Sequence, residues 1–453
     1  MTKVVLFELN EVPRRVVRDF VARHPASTLA GLLRETPLLE TIAPDAGHLS
    51  PWITWPTLHR GVTSHGIRHL GQDTRKADAA CPPVWKLVLD SGLRAGVFAS
   101  LHTWPLPADV TGYAFYVPDP FASDAGTWPA RLASFQELSL RMSRASARNV
   151  DAGVPWREGL AFLSGAPRLG LRLRTMLELG AQLWMEREYP HLRHRRRTWQ
   201  SVIAFDLFMD RLAATEPDFA TFFTNHVASA QHRYWAAAYP GDYARNETDT
   251  AWAARFADEI DFAMQHFDRM LARLIEFTRA RGYSLLVASS MGQAATEARH
   301  VHTQLYLRDV ARFADALGLG QDWQRRPAMD PDVSLLIPEA KRQAWRDALQ
   351  GLRVGGQPVE FDESEGFVHI HMGHHDAATL PVSASGREFK PEALGLAHEP
   401  IEDEAGTTAY HIPEGILIAT GMPPLPEPLQ TTQLAPLILR QLGIGPPGYM
   451  PAV

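Results

Sequence analysis

Short apolar runs and helical periodicities alternate along most of the chain. Four continuous apolar runs predict strands that are buried on both faces, at residues 4–9, 95–100, 219–224 and 285–288. Before the last of them, Ile260, Met264, Phe267, Leu274 and Phe277 recur at helical spacing, and Gly282 follows as a stop signal. This alternation predicts an α/β fold, with a largely parallel, doubly wound sheet flanked by helices.

One region breaks the alternation. Residues 121–200 have helical and irregular patterns without a clear strand, which predicts a helical insertion or cap. The chain then divides into a first part of the α/β core at 1–120, the insertion, and a second part of the core at 201–453. Near the end, "EGILIATG" predicts a further strand and "QTTQLAPLILRQLG" a helix that ends before Gly443.

Composition narrows the class of protein. The 453 residues are 45% hydrophobic and 21% charged with a net charge of −6, so we expect no nucleic-acid partner. The basic run around Arg195 is interpreted as a solvated helix face. A single cysteine, Cys81, excludes disulfides within the chain and cysteine-based metal clusters. No stretch approaches the roughly 18–20 apolar residues of a membrane span, and no signal-peptide pattern is present, so we expect a cytoplasmic protein. The oligomeric state stays open.

Polar residues gather in four segments at or beside predicted strands, and in an α/β sheet chemistry collects at the carboxyl ends of strands. "LFELNEVP" holds Glu8, Asn10 and Glu11. "SPWITWPTLHRGVTSHGI" holds Thr54, Thr57, His59, Arg60 and His65. "FFTNHVASAQHRYW" holds Asn225, His226, Ser229 and His232, and "TTAYHIPEGILIATG" holds His411. The strand before "SSMGQ" ends without a carboxylate, imidazole or thiol.

In this order the segments resemble the alkaline phosphatase superfamily, in its nucleotide pyrophosphatase/type I phosphodiesterase and sulfatase-like branch. "TWPTLHRGVTSHGI" is similar to the nucleophile loop of the family, and "ASAQHRYW" to its D-x-x-x-H segment. "ASSMGQ" is similar to its S-D-H-G element, and "AYHIPEGILIATG" to its last histidine before a strand. The resemblance covers most of the chain except the insertion. It implies a hydrolase or transferase that acts on a small anionic substrate, a phosphate or sulfate ester.

The resemblance also implies where metal ligands should lie, and the chain departs from it there. The family's three Asp and three His ligands fall on Asn10, Ala228, His232, Ser290, Met291 and His411. The two histidines of one metal site are kept, and the second site is essentially absent. We therefore expect at most one metal ion, zinc or manganese, or none. A third ligand would have to come from His226 or from a carboxylate such as Glu8 or Glu11.

Several roles have competing interpretations. Thr54 matches the family's nucleophile and Thr57 lies close enough to compete, but a threonine beside Pro56 at a helix start is equally a cap. Glu8 is costly to bury unpaired, and a pair with Arg60 or Arg14 is its structural alternative. Arg60 is a candidate for anion binding. "HIHMGHHD", residues 369–376, looks like a metal-binding motif, but nothing in the family maps there, and it is interpreted as a surface or accessory element.

Three hypotheses stay open. The first is a divergent ester hydrolase or transferase with at most one metal, in which Thr54 is the nucleophile or contacts the anion, and Glu8 and Asn10 support the histidines. The second is a non-catalytic relative that binds an anionic ligand or a partner protein. The third is an enzyme with metal-independent chemistry, in which Glu8 and Glu11 act as a carboxylate pair and the histidines as acid and base.

Overall fold

A computed structural model describes residues 2–45, 47, 49–145, 162, 165–166, 168–384, 386–401 and 405–452. Its strands are β1 (Lys3–Leu9), β2 (Leu39–Ile42), β3 (Ala95–Phe98), β4 (Phe115–Val117), β5 (Phe219–Thr224), β6 (Tyr283–Ala288), β7 (Gly292–Ala295), β8 (Thr303–Leu307), β9 (Gln324–Arg326), β10 (Val333–Leu336), β11 (Arg353–Val354), β12 (Gln357–Pro358), β13 (Phe361–Ser364), β14 (Phe367–Ile370), β15 (Val382–Ala384), β16 (Arg387–Phe389), β17 (Leu396–Pro400), β18 (Ala409–Ile412), β19 (Glu414–Thr420) and β20 (Leu429–Gln430).

The described α-helices are α1 (Arg14–Arg23), α2 (Thr28–Glu35), α3 (Pro51–Arg60), α4 (Arg75–Ala80), α5 (Val84–Asp90), α6 (Ala133–Ala145), α7 (Leu173–Glu188), α8 (Arg196–Thr215), α9 (His226–Ala238), α10 (Thr250–Phe256), α11 (Glu259–Arg281), α12 (Val310–Ala316), α13 (Arg342–Gln350) and α14 (Leu434–Gln441). Short 3-10 turns join some of them, including Pro190–Arg195 before α8. Within the described residues no helix is both long enough and apolar enough to cross a bilayer.

An eight-stranded sheet forms the centre, in the order β20-β2-β19-β6-β1-β5-β3-β4. Strand β1 pairs in parallel with β5 and with β6, and only β19 runs antiparallel to its neighbours β6 and β2. Helices cover both faces, so the predicted α/β fold with a largely parallel sheet is confirmed. The carboxyl ends of β1, β5 and β6 therefore lie side by side.

Alternate residues of β1 pack into two separate cores, which explains why its apolar run is interrupted only by Glu8. Val5, Phe7 and Leu9 belong to the core beneath α1, α2, α8 and α11. Val4 and Leu6 belong to the opposite core, beneath α3, α5 and α14. Glu8 has the same parity as Val4 and Leu6 and thus faces α3. Described apolar residues of the predicted insertion, such as Leu132 and Phe162, join the core of Phe7.

A second β-rich region lies inside the part predicted as core at 201–453. Strands β9, β10, β13 and β14 form one antiparallel sheet, and β11, β12, β15 and β16 form another. Together with α12 and α13 they enclose a hydrophobic core of their own, centred on Leu335, Trp345 and Ile370. This region lies beside the central sheet, and residues from both line one cleft. The predicted division into three segments stays a prediction.

Candidate active site and metal centre

A cleft with a volume of about 760 Å³ opens at the carboxyl ends of β1 and β5. One wall comes from the central sheet and from the start of α3, and another from the loops around β10 and β14 of the β-rich region. Its polar lining includes Asn10, Glu11, Ser50, Arg68, His69, Asn225, His232, Arg233, Asp332, His369, His371, His375 and His411. Three of the four predicted segments contribute candidate site residues to this lining. The fourth, which forms α3, contributes only the start of that helix and none of its candidate residues.

Glu11, His232 and His411 converge at the floor of the cleft. The Glu11 Oε2 atom lies 2.8 Å from His232 Nε2 and 3.3 Å from His411 Nε2. The three ligand atoms lie within 4.8 Å of one another, a spacing that suits a bound metal ion. His232 comes from α9, His411 from β18, and Glu11 from the turn after β1. The predicted histidine pair is thus brought together around a carboxylate.

The second ring nitrogen of each histidine is held by a backbone carbonyl. His232 Nδ1 lies 2.8 Å from the Ala409 oxygen, and His411 Nδ1 lies 2.8 Å from the Leu49 oxygen. Because a carbonyl oxygen only accepts, Nδ1 carries the hydrogen in both rings. Each Nε2 then turns toward Glu11, where neutral rings would present lone pairs to a carboxylate. A proton or a cation between these atoms is needed to hold them together, and this carbonyl-anchored arrangement is the one that metal-ligating histidines use.

At this centre, burial and electrostatic interactions shift the pKa values of Glu11 and His411 in opposite directions. Burial alone raises the pKa of the Glu11 carboxyl, but the charges and hydrogen bonds of His411 and His232 bring that pKa well below its ordinary value. Burial likewise lowers the pKa of His411, while the Glu11 carboxylate and the Leu49 carbonyl raise it, and the net pKa lies above the ordinary value. Glu11 is therefore ionised at neutral pH and is able to offset a cationic partner.

Glu11 is held in a conformation that a non-glycine residue rarely adopts. Its φ is +56°, in the left-handed region, and such strain concentrates at functional sites. Asn10 Nδ2 donates to Glu11 Oε1 over 2.7 Å, and Gln293 Nε2 donates to Oε2. Gln293 is also the cross-strand partner of His411 in the β7–β18 pair. A Cβ atom at Gly292 would lie 2.2 Å from the Glu414 oxygen, so the glycine allows β7 to lie this close to the start of β19.

The positions of the family's second metal site carry neutral side chains. Thr54 and Ser290 are fully buried and share a 2.8 Å hydrogen bond between their hydroxyls, and Thr54 also donates to the Ser50 carbonyl. Met291 is fully buried as well. Asn10 is a hydrogen-bonding hub: it donates to Asn225 and accepts from the Trp55 indole. At these positions the chain offers no charge to a second ion.

Thr57 lies away from the cleft in a buried hydrogen-bonded chain. The Ile67 N–H donates to His65 Nδ1, so the neutral His65 ring donates from Nε2 to the Thr57 oxygen over 3.0 Å. Thr57 in turn donates to Asp45 Oδ1 over 2.7 Å. Burial, with Arg60 and Arg68 nearby, lowers the pKa of His65 to about 4, which keeps the ring neutral. The chain stabilises the loop that follows α3.

Three further predicted site residues make contacts outside the metal centre. Arg60 donates to the Cys81 carbonyl and to Asp78. Glu8 lies under α3, where its Oε1 atom is 2.8 Å from His59 Nε2 and accepts from Thr221, so neither Arg60 nor Arg14 is its partner. His226 is enclosed between the Thr224 hydroxyl and the Ala263 carbonyl, and burial lowers its pKa to about 3. The functional roles predicted for these residues stay predictions.

Two features of the cleft are only weakly encoded in the sequence. Glu11 was only one of several candidates for the third partner, since its approach to His232 depends on a left-handed backbone that no motif encodes. Asp332 was not singled out, although it lies next to His369 and His371 in the cleft wall. The "HIHMGHHD" segment was the available signal, because His369 and His371 share one face of a strand pattern.

No family model and no curated protein sequence matches the chain. Among solved structures, phosphonoacetate hydrolase from Sinorhizobium meliloti 1021 is 14% identical with a TM-score of 0.44, covering 98% of this chain and 95% of that one. Murine ectonucleotide pyrophosphatase/phosphodiesterase 5 is 12% identical with a TM-score of 0.42, covering 99% and 97%. Alkaline phosphatase from the Antarctic bacterium TAB5 is 9% identical with a TM-score of 0.36, covering 98% and 99%.

All three belong to the alkaline phosphatase superfamily. The sequence motifs resemble the same superfamily, and the chain is at most 14% identical to each of the three structures.

Proposed function

We propose that the protein is a divergent hydrolase or transferase that acts on a phosphate or sulfate ester and uses one divalent metal ion, zinc or manganese. The observation that carries the proposal is the convergence of Glu11, His232 and His411 on one point of the cleft. Three protein ligands with space for substrate is the composition of a catalytic metal site. When bound, the ion would supply Lewis-acid polarisation of an ester oxygen.

The donor set supports the fit of such an ion. Glu11 contributes one negative charge in a buried environment, and both histidines direct Nε2 toward it while their Nδ1 atoms are anchored. Gln293 donates to the Glu11 carboxylate and Gln231 to the Glu11 backbone oxygen, and the buried Oε1 atoms of both accept no hydrogen bond from the described residues. Glu11 takes over the charge that the family's Asp would supply at Ala228, one helical turn before His232.

The anionic part of a substrate would be bound by other groups in the cleft. Arg68 and Arg233 line it, and so does the start of α3 at Ser50, Pro51 and Trp52. The start of α3 also places the positive end of a helix dipole at the cleft, which favours an anion. Arg233 is oriented by its Nη1 donating to the Ser229 carbonyl and hydroxyl. These groups would hold the ester next to the metal centre.

We propose that Thr54 supports this site from the buried side of the cleft. Its hydroxyl is fully buried and bonded to Ser290 and to the Ser50 carbonyl, which ties the first turn of α3 to the loop after β6. This supports a positioning role, while the role of nucleophile requires the hydroxyl to become accessible. A carboxylate pair of Glu8 and Glu11 receives less support, because Glu8 is paired with His59 and is not among the residues of the cleft lining.

The experiment combines a substrate panel with metal exchange. We expect the purified full chain to hydrolyse an aryl phosphate, an aryl phosphodiester or an aryl sulfate, to lose this activity on chelation, and to regain it with zinc or manganese. His232→Ala and His411→Ala should each lower kcat/KM by roughly 100-fold or more. His375→Ala, a cleft histidine outside the centre, is the matched control.

Two results would contradict the proposal. Activity that survives complete chelation would favour metal-independent acid/base chemistry. Absence of turnover on the whole panel, together with anion binding that the two histidine variants leave unchanged, would favour a non-catalytic binding protein.

A further inference from the structure

A second cluster of metal-ligating side chains lies in the wall of the same cleft, in the β-rich region. Asp332 precedes β10, His369 lies on β14, and His371 follows it. The Asp332 Oδ2 atom is 3.2 Å from His369 Nε2 and 3.5 Å from His371 Nδ1. The resemblance to the alkaline phosphatase superfamily places no ligand at these positions, so this cluster belongs to the chain's own β-rich region.

The spacing of the three atoms matches a tetrahedral ion. Ligand atoms bound about 2.0–2.2 Å from a tetrahedral zinc ion lie about 3.3–3.6 Å apart. Of the two Asp332 distances, 3.5 Å lies within that range and 3.2 Å just below it, and all three atoms lie within 4.8 Å of one another. Little movement would be needed for an ion to enter between them.

The groups around the cluster orient the three side chains. The Ser334 hydroxyl lies 2.8 Å from His369 Nδ1, since Ser334 and His369 are register partners in the β10–β14 pair. The Met372 N–H donates to Asp332 Oδ1 over 2.9 Å, which directs Oδ2 toward the histidines. Asp362 Oδ2 lies 3.1 Å from His371 Nε2. A carboxylate behind a ligating histidine is a frequent partner of metal centres.

The cluster is accessible from the cleft. The Asp332 side chain is 27% exposed and that of His371 37%, whereas His369 is buried at 8%. His69, from the loop after α3, stacks on His369 with ring centroids 4.4 Å apart and lies 3.2 Å from Asp362. The central α/β part therefore closes one side of the cluster, and solvent reaches the other.

We propose that Asp332, His369 and His371 form a second divalent-metal site, suited to zinc or a similar ion that accepts imidazole and carboxylate ligands. This site goes beyond the proposed ester chemistry, because its three ligands do not include any residue of the Glu11 centre. Three protein ligands leave a coordination position facing the cleft, where an anionic group of a bound molecule or a water completes the shell.

Zinc stoichiometry of the full chain tests the site. The protein is stripped with chelator and dialysed against zinc, and bound metal is measured by mass spectrometry. Wild-type protein is expected to bind two equivalents. Asp332→Asn combined with His371→Gln should lose one equivalent, Glu11→Gln should lose the other, and His375→Ala should retain both. Cobalt absorption of the single-site variants would then report each site separately.

The outcomes separate this site from the proposed function. If Glu11→Gln changes nothing while the Asp332/His371 variant loses metal, the second site stands and the Glu11 centre fails. If the Asp332/His371 variant binds as much metal as wild type, the second site is overturned, and the cluster is an ion-pair network. If the double variant does not fold, His371→Gln alone decides, because its side chain is partly exposed; unchanged stoichiometry then overturns the site.

Discussion

At the scale of single residues, the backbone of Glu11 brings a carboxylate to a pair of histidines. The chain lacks the carboxylate that the family resemblance expects at Ala228, and the α9 helix there carries only a methyl group. With φ at +56°, Glu11 reaches His232 and His411 from the turn after β1 instead. Non-glycine residues in this region cost on the order of 1–3 kcal/mol and persist where surrounding contacts enforce them. Asn10 and Gln293 are those contacts.

Thr54→Val tests the role of the Thr54 hydroxyl at nearly constant volume. If Thr54 positions α3, the variant loses hydrogen bonds to Ser290 and the Ser50 carbonyl but keeps the metal centre, so we expect kcat/KM to fall by less than about tenfold. The measurement is steady-state turnover of the best substrate of the panel. Thr57→Val, in the separate Asp45–His65 chain, is the matched control.

A much larger effect would change the assignment. A loss of about three orders of magnitude in Thr54→Val, with the zinc content of wild type, would identify Thr54 as the nucleophile that the family resemblance implies.

At the scale of elements, the first turn of α11 is anchored by a buried ion pair. Arg195, from the 3-10 turn before α8, donates to both oxygens of Glu259 over 2.8 and 2.7 Å. Burial raises the pKa of Glu259, but His194 and Arg195 outweigh it and lower that pKa to about 2. Because the folded-state pKa lies below the unfolded value, this pair stabilises the fold above about pH 4.5 and less at lower pH.

Glu259→Gln should therefore destabilise the protein in a pH-dependent way. At pH 7 we expect the free energy of unfolding to fall by roughly 3 kcal/mol, corresponding to the pKa difference between the two states. The difference from wild type should shrink as pH falls from about 4.5 toward 2, where Glu259 itself becomes neutral. Urea unfolding of both proteins across this range is the measurement. A difference independent of pH would contradict the ion-pair account.

Strongly periodic elements were predictable from the sequence. Strand β5 was predicted with its observed bounds, and β1, β6 and α11 were predicted to within a few residues, since they are buried on both faces or carry a continuous apolar stripe. The short strands of the β-rich region were not predicted. Segments such as β13 and β16 span only three or four residues, and two adjacent ones are charged, so their pairing depends on tertiary contacts.

The site was predictable only in part, because some of its residues are also brought together by tertiary contacts alone. His232 and His411 follow from motif order, and both lie in the cleft. The third partner and the Asp332 cluster depend on a positive φ and on strand register, respectively, and a single sequence specifies neither. His226 shows the converse case, because its place beside the D-x-x-x-H segment attracts attention, yet its ring is satisfied by Thr224 and Ala263.

At the scale of the whole molecule, the cleft joins the central sheet to the β-rich region. The loop after α3 crosses between them: His69 contacts Asp362, and Arg326 Nε donates to the Gly71 carbonyl. A ligand that binds only the folded chain stabilises it by about 2.7 kcal/mol at a concentration 100-fold above its dissociation constant. Zinc should therefore raise Tm of the metal-free wild-type protein.

The matched variant for this experiment is Glu11→Gln combined with Asp332→Asn. Thermal denaturation in the presence and absence of zinc should show an increase in Tm for wild type and for His375→Ala, and little change for the combined variant. An equal increase in all three proteins would mean that zinc binds elsewhere on the chain.

The central claim is that Glu11, His232 and His411 hold a divalent ion. Anomalous diffraction at the zinc absorption edge, from a crystal of the full chain grown with zinc, tests it most directly. We expect an anomalous peak about 2.0–2.2 Å from each of Glu11 Oε2, His232 Nε2 and His411 Nε2. The absence of a peak at these three atoms, with Glu11 still hydrogen-bonded directly to the two histidines, would show that this centre holds no ion, even if a peak lies at the Asp332 cluster.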